Sequence, residues 1–137
     1  MTRTPQALVL DAWSVMAYLE DEPAGKKVAD IIAGAHEQRI PMMMTVINVG
    51  EVWYIIAREV SVAEAEKAVE ELRHLGIRFV DADWNLSREA AEFKAGCKMS
   101  FADCFAAALA KRHQARLITG DQEFRQIEAV VPITWVT

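Results

Sequence analysis

Apolar and polar residues alternate along the chain in blocks whose periods switch between strand and helix. Ala7 to Leu10 is an unbroken apolar run bounded by Pro5 and Asp11, which predicts a short strand buried on both faces. Ser14 to Leu19 reads as helix. Pro23 can open a further helix over residues 24 to 36, in which Val28, Ile31 and Ile32 form an apolar stripe ending near Gly34. Pro41 to Met44 predicts a second strand, and Thr45 can cap a helix whose apolar positions Ile47, Val52, Ile55 and Ile56 recur every three or four residues. Ser61 followed by Glu64 has the form of a capping box, opening a helix that runs through Ala68 and Leu72 to a stop near Gly76. Further on, Ile77 to Val80 reads as strand, Trp84 to Ala95 as helix, Ser100 as the cap of a helix through about His113, and Arg116 to Thr119 as strand. A last strand is expected over Ile133 to Val136.

Strands alternating with helices imply an α/β protein, a three-layer α/β/α sandwich with a mostly parallel central sheet and right-handed crossovers. At 137 residues the whole chain, 1–137, is expected to form one domain, large enough to bury roughly two-thirds of its unfolded surface. No repeat or low-complexity segment interrupts it. With 53% hydrophobic and 26% charged residues the composition is that of a folded protein rather than a disordered one.

A net charge of -5 excludes the broad basic field of a nonspecific nucleic-acid binder, so any polyanion has to be handled locally. Cys97 and Cys104 are the only cysteines and fit neither a disulfide framework nor zinc spacing. Met1 to Gln6 is short and polar, unlike a signal peptide, and the apolar run Pro41 to Val49 is too short to span a bilayer. A cytoplasmic protein with no membrane role is expected.

The acidic residues carry the chemical signal. Ligands of open α/β sheets bind beyond the carboxyl ends of the strands. Asp11 directly follows the first predicted strand, and Asp121 follows the strand ending at Thr119 after one glycine, so both are expected at that edge. Asp103 lies three residues after the cap Ser100. Glu51 sits inside an apolar helix beside Val49, Val52 and Trp53, where an ionised carboxylate is costly unless paired or metal-bound. Asn48, three residues earlier, is placed to hydrogen-bond Glu51 or a substrate. Read singly, Asp11 and Asp121 fit turn or cap residues and Asp103 a helix-dipole carboxylate. Four carboxylates converging within several ångströms would instead hold protons or require a divalent cation, and hard oxygen ligands of this kind suit Mg²⁺ or Mn²⁺.

The segments VLDAWSVMAYL, INVGEVWYIIAR and SFADCFAAALAKRHQARLITGDQEF, in that order, resemble the PIN-domain nucleases, and among them the VapC toxins of type II toxin–antitoxin systems. The resemblance runs from about Leu8 to Trp135 and is strongest from Ser100 to Phe124. It aligns the family's four acids with Asp11, Glu51, Asp103 and Asp121. Where the family commonly has a small hydroxyl residue two places after the first Asp, this chain has Trp13, with Ser14 one place later. Thr119 resembles the family's hydroxyl residue beside the last Asp.

The resemblance implies an endoribonuclease that hydrolyses RNA phosphodiester bonds with one or two Mg²⁺ or Mn²⁺ ions, which activate water and offset charge on the phosphorane oxygens. Asp11, Glu51 and Asp103 would hold the principal ion and Asp121 would complete the cluster, with Asn48, Thr119 and Ser14 in secondary roles. It further implies a cognate antitoxin as partner and a homodimer, for which the helix from Thr45 to Arg58 with Trp53 and Tyr54 offers an apolar face. Because an acidic site cannot attract RNA unaided, cations are expected at its rim, and Lys98, Arg58, Lys94 and Arg125 are the candidates. Trp13 and Trp53 flank two of these acids and are candidates for stacking on an unpaired base, with core packing the favoured role for Trp53, and Cys104 fits the core. Three other readings compete. A haloacid-dehalogenase-type phosphotransferase wants a second Asp where Trp13 stands, and a response-regulator receiver wants a central Asp and a late Lys that have no counterpart here. A noncatalytic PIN-like binding module would tend to lose acids that this chain keeps.

Overall fold

A computed structural model describes residues 7–137; Met1 to Gln6, read above as a short polar terminus, lie outside the described residues. The elements in order are β1 (Leu8–Leu10), α1 (Ala12–Leu19), α2 (Pro23–Gln38), β2 (Met42–Thr45), α3 (Val46–Glu59), α4 (Val62–His74), β3 (Ile77–Val80), α5 (Trp84–Gly96), α6 (Phe101–His113), β4 (Arg116–Thr119), a 3₁₀ segment (Gln122–Ile127) and β5 (Ile133–Trp135). The five strands form one sheet in the order β3-β2-β1-β4-β5, and every pairing is parallel.

Side chains alternate across this sheet as the strand period requires. Leu8, Leu10, Met42, Met44 and Ile118 point into a core shared with α1, α2, α3 and α4. Val9, Met43 and Leu117 point the other way, into a core built largely from the alanine-rich α6 with Leu86, Ala90 and Phe124. The result is the expected three-layer α/β/α sandwich. On one face α1 and α2 approach closely: a Cβ on Gly25 would lie 2.4 Å from the carbonyl oxygen of Ala17, so only glycine fits there.

Local capping fixes where helices begin. Thr45, Ser61, Asp83 and Ser100 each accept a backbone N–H three residues on, from Asn48, Glu64, Leu86 and Asp103 respectively. Two departures from the sequence reading stand out. The first helix starts at Ala12 rather than Ser14, because Asp11 both ends β1 and caps α1 by accepting the Ser14 N–H at 2.9 Å. The segment after β4 coils into a 3₁₀ turn that the hydrophobic pattern did not reveal, capped by Asp121 through the Glu123 N–H at 2.9 Å. Among the described residues no helix is long and apolar enough to cross a membrane.

Candidate active site

Strand order reverses direction between β1 and β4: successive elements spread toward β3 on one side of β1 and toward β5 on the other. Such a switch point leaves a crevice at the carboxyl ends of the two strands. Leu10 is in register with Ile118, so Asp11 and Thr119 face each other at the mouth of that crevice. Thr119 donates its hydroxyl to Asp11 Oδ2 at 2.5 Å and accepts the Asp121 N–H at 3.0 Å. One threonine therefore ties together the acid after β1 and the acid after β4.

Above this link lies a groove of about 490 Å³ whose lining includes Trp13, Met16, Glu51, Ile55, Ser100, Asp103, Asp121 and Glu123, together with Glu20, Glu22 and Glu59. Asp11 is fully buried beneath it. Burial pushes the Asp11 carboxyl up to about 6, although its hydrogen bonds from Thr119 and Ser14 pull the other way. Asp103 rises further, to about 7, first through burial and then through the charges of Asp11 and Asp121, with Glu51 adding a smaller push. Glu51 is also raised, by burial and by Asp121. Glu51, Asp103 and Asp121 line this one groove and Thr119 ties Asp11 to Asp121, so acids spread over 110 positions of sequence come together in one place.

The tightest grouping within the cluster differs from the set expected to hold an ion. Carboxylate oxygens of Asp103, Asp121 and Glu123 all come within 4.8 Å of one another, a spacing able to hold a metal ion. Glu123 was not singled out from sequence, because it sits in the unpredicted 3₁₀ turn; the signal that marks it is Asp121 two residues earlier, acting as a short-range cap. Glu51 adds an independent indication. Its Oε1 is buried without a hydrogen-bond partner among the described residues, a costly state for a carboxylate unless a cation or a proton satisfies it. The donor set is all oxygen, matching a hard divalent ion.

The secondary residues serve the scaffold. Ser14 is buried, its N–H on Asp11 Oδ1 and its hydroxyl on the Asp11 carbonyl at 3.1 Å. Asn48 does not bond Glu51 as the sequence suggested: its side-chain oxygen accepts from Thr45 and its Nδ2 donates to the Ala102 carbonyl at 3.0 Å, pinning α3 to the start of α6. That bond fixes Glu51 and Asp103 relative to each other indirectly. Trp53 gives its indole N–H to Glu66 on α4 and stays off the groove. Cys104 is buried, and burial pushes its thiol up to about 11, leaving it a core residue.

None of the four cations expected at the rim lines the groove. Lys94 donates to the Met99 carbonyl at 2.6 Å, Arg125 stacks over Trp135 at 4.7 Å and bonds Gln122 and Glu128, and Arg58 lies over Tyr54 at 6.0 Å. Lys98 is exposed on the short link before α6. Sequence distance gave no means of seeing these attachments.

The fold has counterparts among known proteins. A search by sequence among curated proteins finds no match. Among solved structures the chain is similar to VapC20 of Mycobacterium tuberculosis, described as a sarcin-ricin loop cleaving toxin, at 17% identity and TM-score 0.69 over 88% of this chain and 94% of that one. It is similar to DNA-bound VapBC of Salmonella typhimurium at 15% identity and TM-score 0.74, covering 96% and 98% of the two chains. A third likeness is to FitAcB of Neisseria gonorrhoeae, at 20% identity and TM-score 0.68 over 94% and 97%. Identities this low establish a shared fold. The PIN domain family matches residues 8–130, nearly all of the sequence and all of the acidic cluster, and the chain belongs to the PIN domain family.

Proposed function

We propose that this protein is a metal-dependent endoribonuclease and the toxin of a type II toxin–antitoxin pair. The observation that carries the proposal is the crowding of Asp11, Glu51, Asp103, Asp121 and Glu123 around one groove, with a buried Glu51 oxygen lacking a partner. Asp103, Asp121 and Glu123 would hold a Mg²⁺ or Mn²⁺ ion directly, with Glu51 facing it and Asp11 supplying charge from below. When bound, such an ion supplies an activated water and offsets charge developing on the phosphate.

The chain's own residues then have distinct tasks. Thr119 keeps Asp11 and Asp121 at fixed separation across β1 and β4. Ser14 holds the Asp11 carboxylate in one orientation. Asn48 keeps the α3 acid and the α6 acid in register. Trp13 lines the groove and offers an aromatic surface there. Preorganisation of this kind lets charge be stabilised without rearrangement at the moment of reaction.

The partners follow from charge. A groove whose wall has many carboxylates and no Lys or Arg is matched by an arginine-bearing segment, as an antitoxin tail would offer. Structures of similar fold include a toxin–antitoxin complex from Klebsiella pneumoniae and a member of the VapBC family of toxin–antitoxin systems from Mycobacterium tuberculosis. A homodimer through α3 is consistent with the exposed Ile47 and Tyr54. The test is to incubate purified protein with total cellular RNA in Mn²⁺ and in EDTA and map new ends. Discrete cleavage in Mn²⁺ that Asp103→Asn abolishes is expected; cleavage surviving EDTA or that substitution would defeat the proposal.

A further inference from the structure

A second groove lies on the far side of the 3₁₀ segment, between α5, the last turn of α6 and the residues leading to β5. It measures about 640 Å³. Its lining is mixed in charge, with Arg88, Lys111 and Arg112 against Glu89 and Glu92, and so carries one more cation than anion where the acidic groove carries no cation. Phe93 also lines it, with the Lys111 ammonium 5.7 Å from the ring centre. Lys111 has no carboxylate partner among the described residues. Arg88 and Arg112 face Glu92 and Glu89 at 2.8 and 3.3 Å; the first is an open surface pair of a kind worth at most about 1 kcal/mol, whereas the second is partly buried, with the Arg112 side chain 28% exposed.

The two grooves are neighbours. Cys97 lines the second one and Ser100 the acidic one, with only Lys98 and Met99 between. Gln126 braces this divide: its Oε1 accepts the Lys98 N–H at 2.9 Å, and its Nε2 donates to the carbonyls of Lys98 and Glu123. Lys94 holds the same link through Met99. The exposed Lys98 therefore sits on a hydrogen-bonded link, and beyond it the second groove follows α5 from Gly96 back to Arg88, about 12 Å of helix.

We infer that the α5–α6 groove binds single-stranded RNA, taking up the strand as it leaves the acidic groove across Lys98. A groove that sets a Lys without a carboxylate partner beside an aromatic ring offers a phosphate contact and a stacking surface, the two elements that hold a single strand without reading its sequence. It also answers the lack of cations at the acidic groove, whose field alone repels a polyanion. The inference rests on RNA being the substrate proposed above.

The test measures binding without cleavage. In EDTA, with no ion to offset the acids, a fluorescein-labelled RNA of about 12 nucleotides should bind the full chain chiefly through this groove. The double substitution Lys111→Ala, Arg112→Ala is expected to weaken binding roughly tenfold and to flatten the dependence of log K on log salt by about 1.4, as for two lost phosphate contacts. Lys98→Ala should flatten it by about 0.7, while Lys26→Ala, Lys27→Ala on α2, on the opposite face, should change neither quantity. Absence of wild-type binding in EDTA, or an unchanged affinity and slope in the α6 double variant, overturns the inference and leaves the groove to a protein partner. Failure of Mn²⁺-dependent cleavage with intact, groove-dependent binding would instead count only against the nuclease reading.

Discussion

The indole of Trp13 fills the space over Gly120: a Cβ added to that glycine would meet Trp13 Cη2 and Cζ3 at 2.3 Å. Gly120 is the single residue between Thr119, which holds Asp11, and Asp121. A bulky ring thus packs against the turn between Thr119 and Asp121, and the absence of a side chain at 120 makes room for it. Trp13 is partly buried and lines the acidic groove, so it both packs the turn before Asp121 and offers an aromatic edge to the site.

Because the conflict at Gly120 is steric, Gly120→Ala is expected to displace the indole and destabilise the fold by about 1–3 kcal/mol. Trp13→Ala should relieve the conflict, so the double variant is less destabilised than the sum of the two single changes. Urea unfolding of all four proteins checks this; additive losses would show that the ring and the glycine do not interact.

Stability should fall as pH rises through the site's carboxyl range when no metal is bound. Asp11 and Asp103 have folded values of about 6 and about 7, both above the ordinary 3.8. Between those limits the native state holds more protons than the unfolded one, so unfolding free energy decreases with pH. The stabilisation is fully present below about pH 4 and is lost as pH passes 6 to 7. In EDTA, Tm is expected to drop between pH 5 and 8, and Mn²⁺ should remove most of that drop by binding only the native state. A Tm in EDTA that climbs over this interval would contradict the assignment.

Asp103→Asn removes one of the mutually repelling charges while keeping shape. In EDTA at pH 8 it should raise Tm, whereas at pH 5, where the native carboxyl is already largely protonated, the gain should nearly vanish. Its Mn²⁺-dependent stabilisation should be lost at both values. Thermal melts at two pH values, with and without the ion, separate this from a structural defect, which would lower Tm throughout.

Asn48→Ala is predicted to cost about 1–3 kcal/mol, since it leaves the Ala102 carbonyl and the Thr45 hydroxyl without their partner. The loss should be independent of pH between 5 and 8, unlike that of any acid in the cluster. Chemical unfolding at the two pH values checks the contrast.

Much of the fold was legible because local signals agreed with the hydrophobic period. β3, β4 and α6 begin and end where the pattern places them, and Ser61 and Ser100 cap as their spacing implies. The convergence of Asp11 and Asp121 was legible too, since both follow parallel strands whose carboxyl ends share an edge. What escaped was set by contacts between distant residues or by a role shared between two elements. Asp11 ends a strand and caps a helix at once, hiding the true start of α1. Glu123 lies in a polar turn with no apolar period to announce it. Asn48 looked like a neighbour of Glu51, yet its partner Ala102 is 54 positions away. The basic residues could be counted from sequence, but their attachments to Met99, Trp135 and Tyr54, which keep them off the acidic groove, depend on packing.

The account stands on a divalent ion held by the carboxylates at the β1–β4 crevice, and Mn²⁺ binding followed by electron paramagnetic resonance at pH 7.5 measures that directly. Saturable binding to the wild-type protein that is lost in Asp103→Asn and weakened in both Asp121→Asn and Glu123→Gln is the predicted result. Binding of equal strength in all four proteins would place the ion elsewhere and contradict the account.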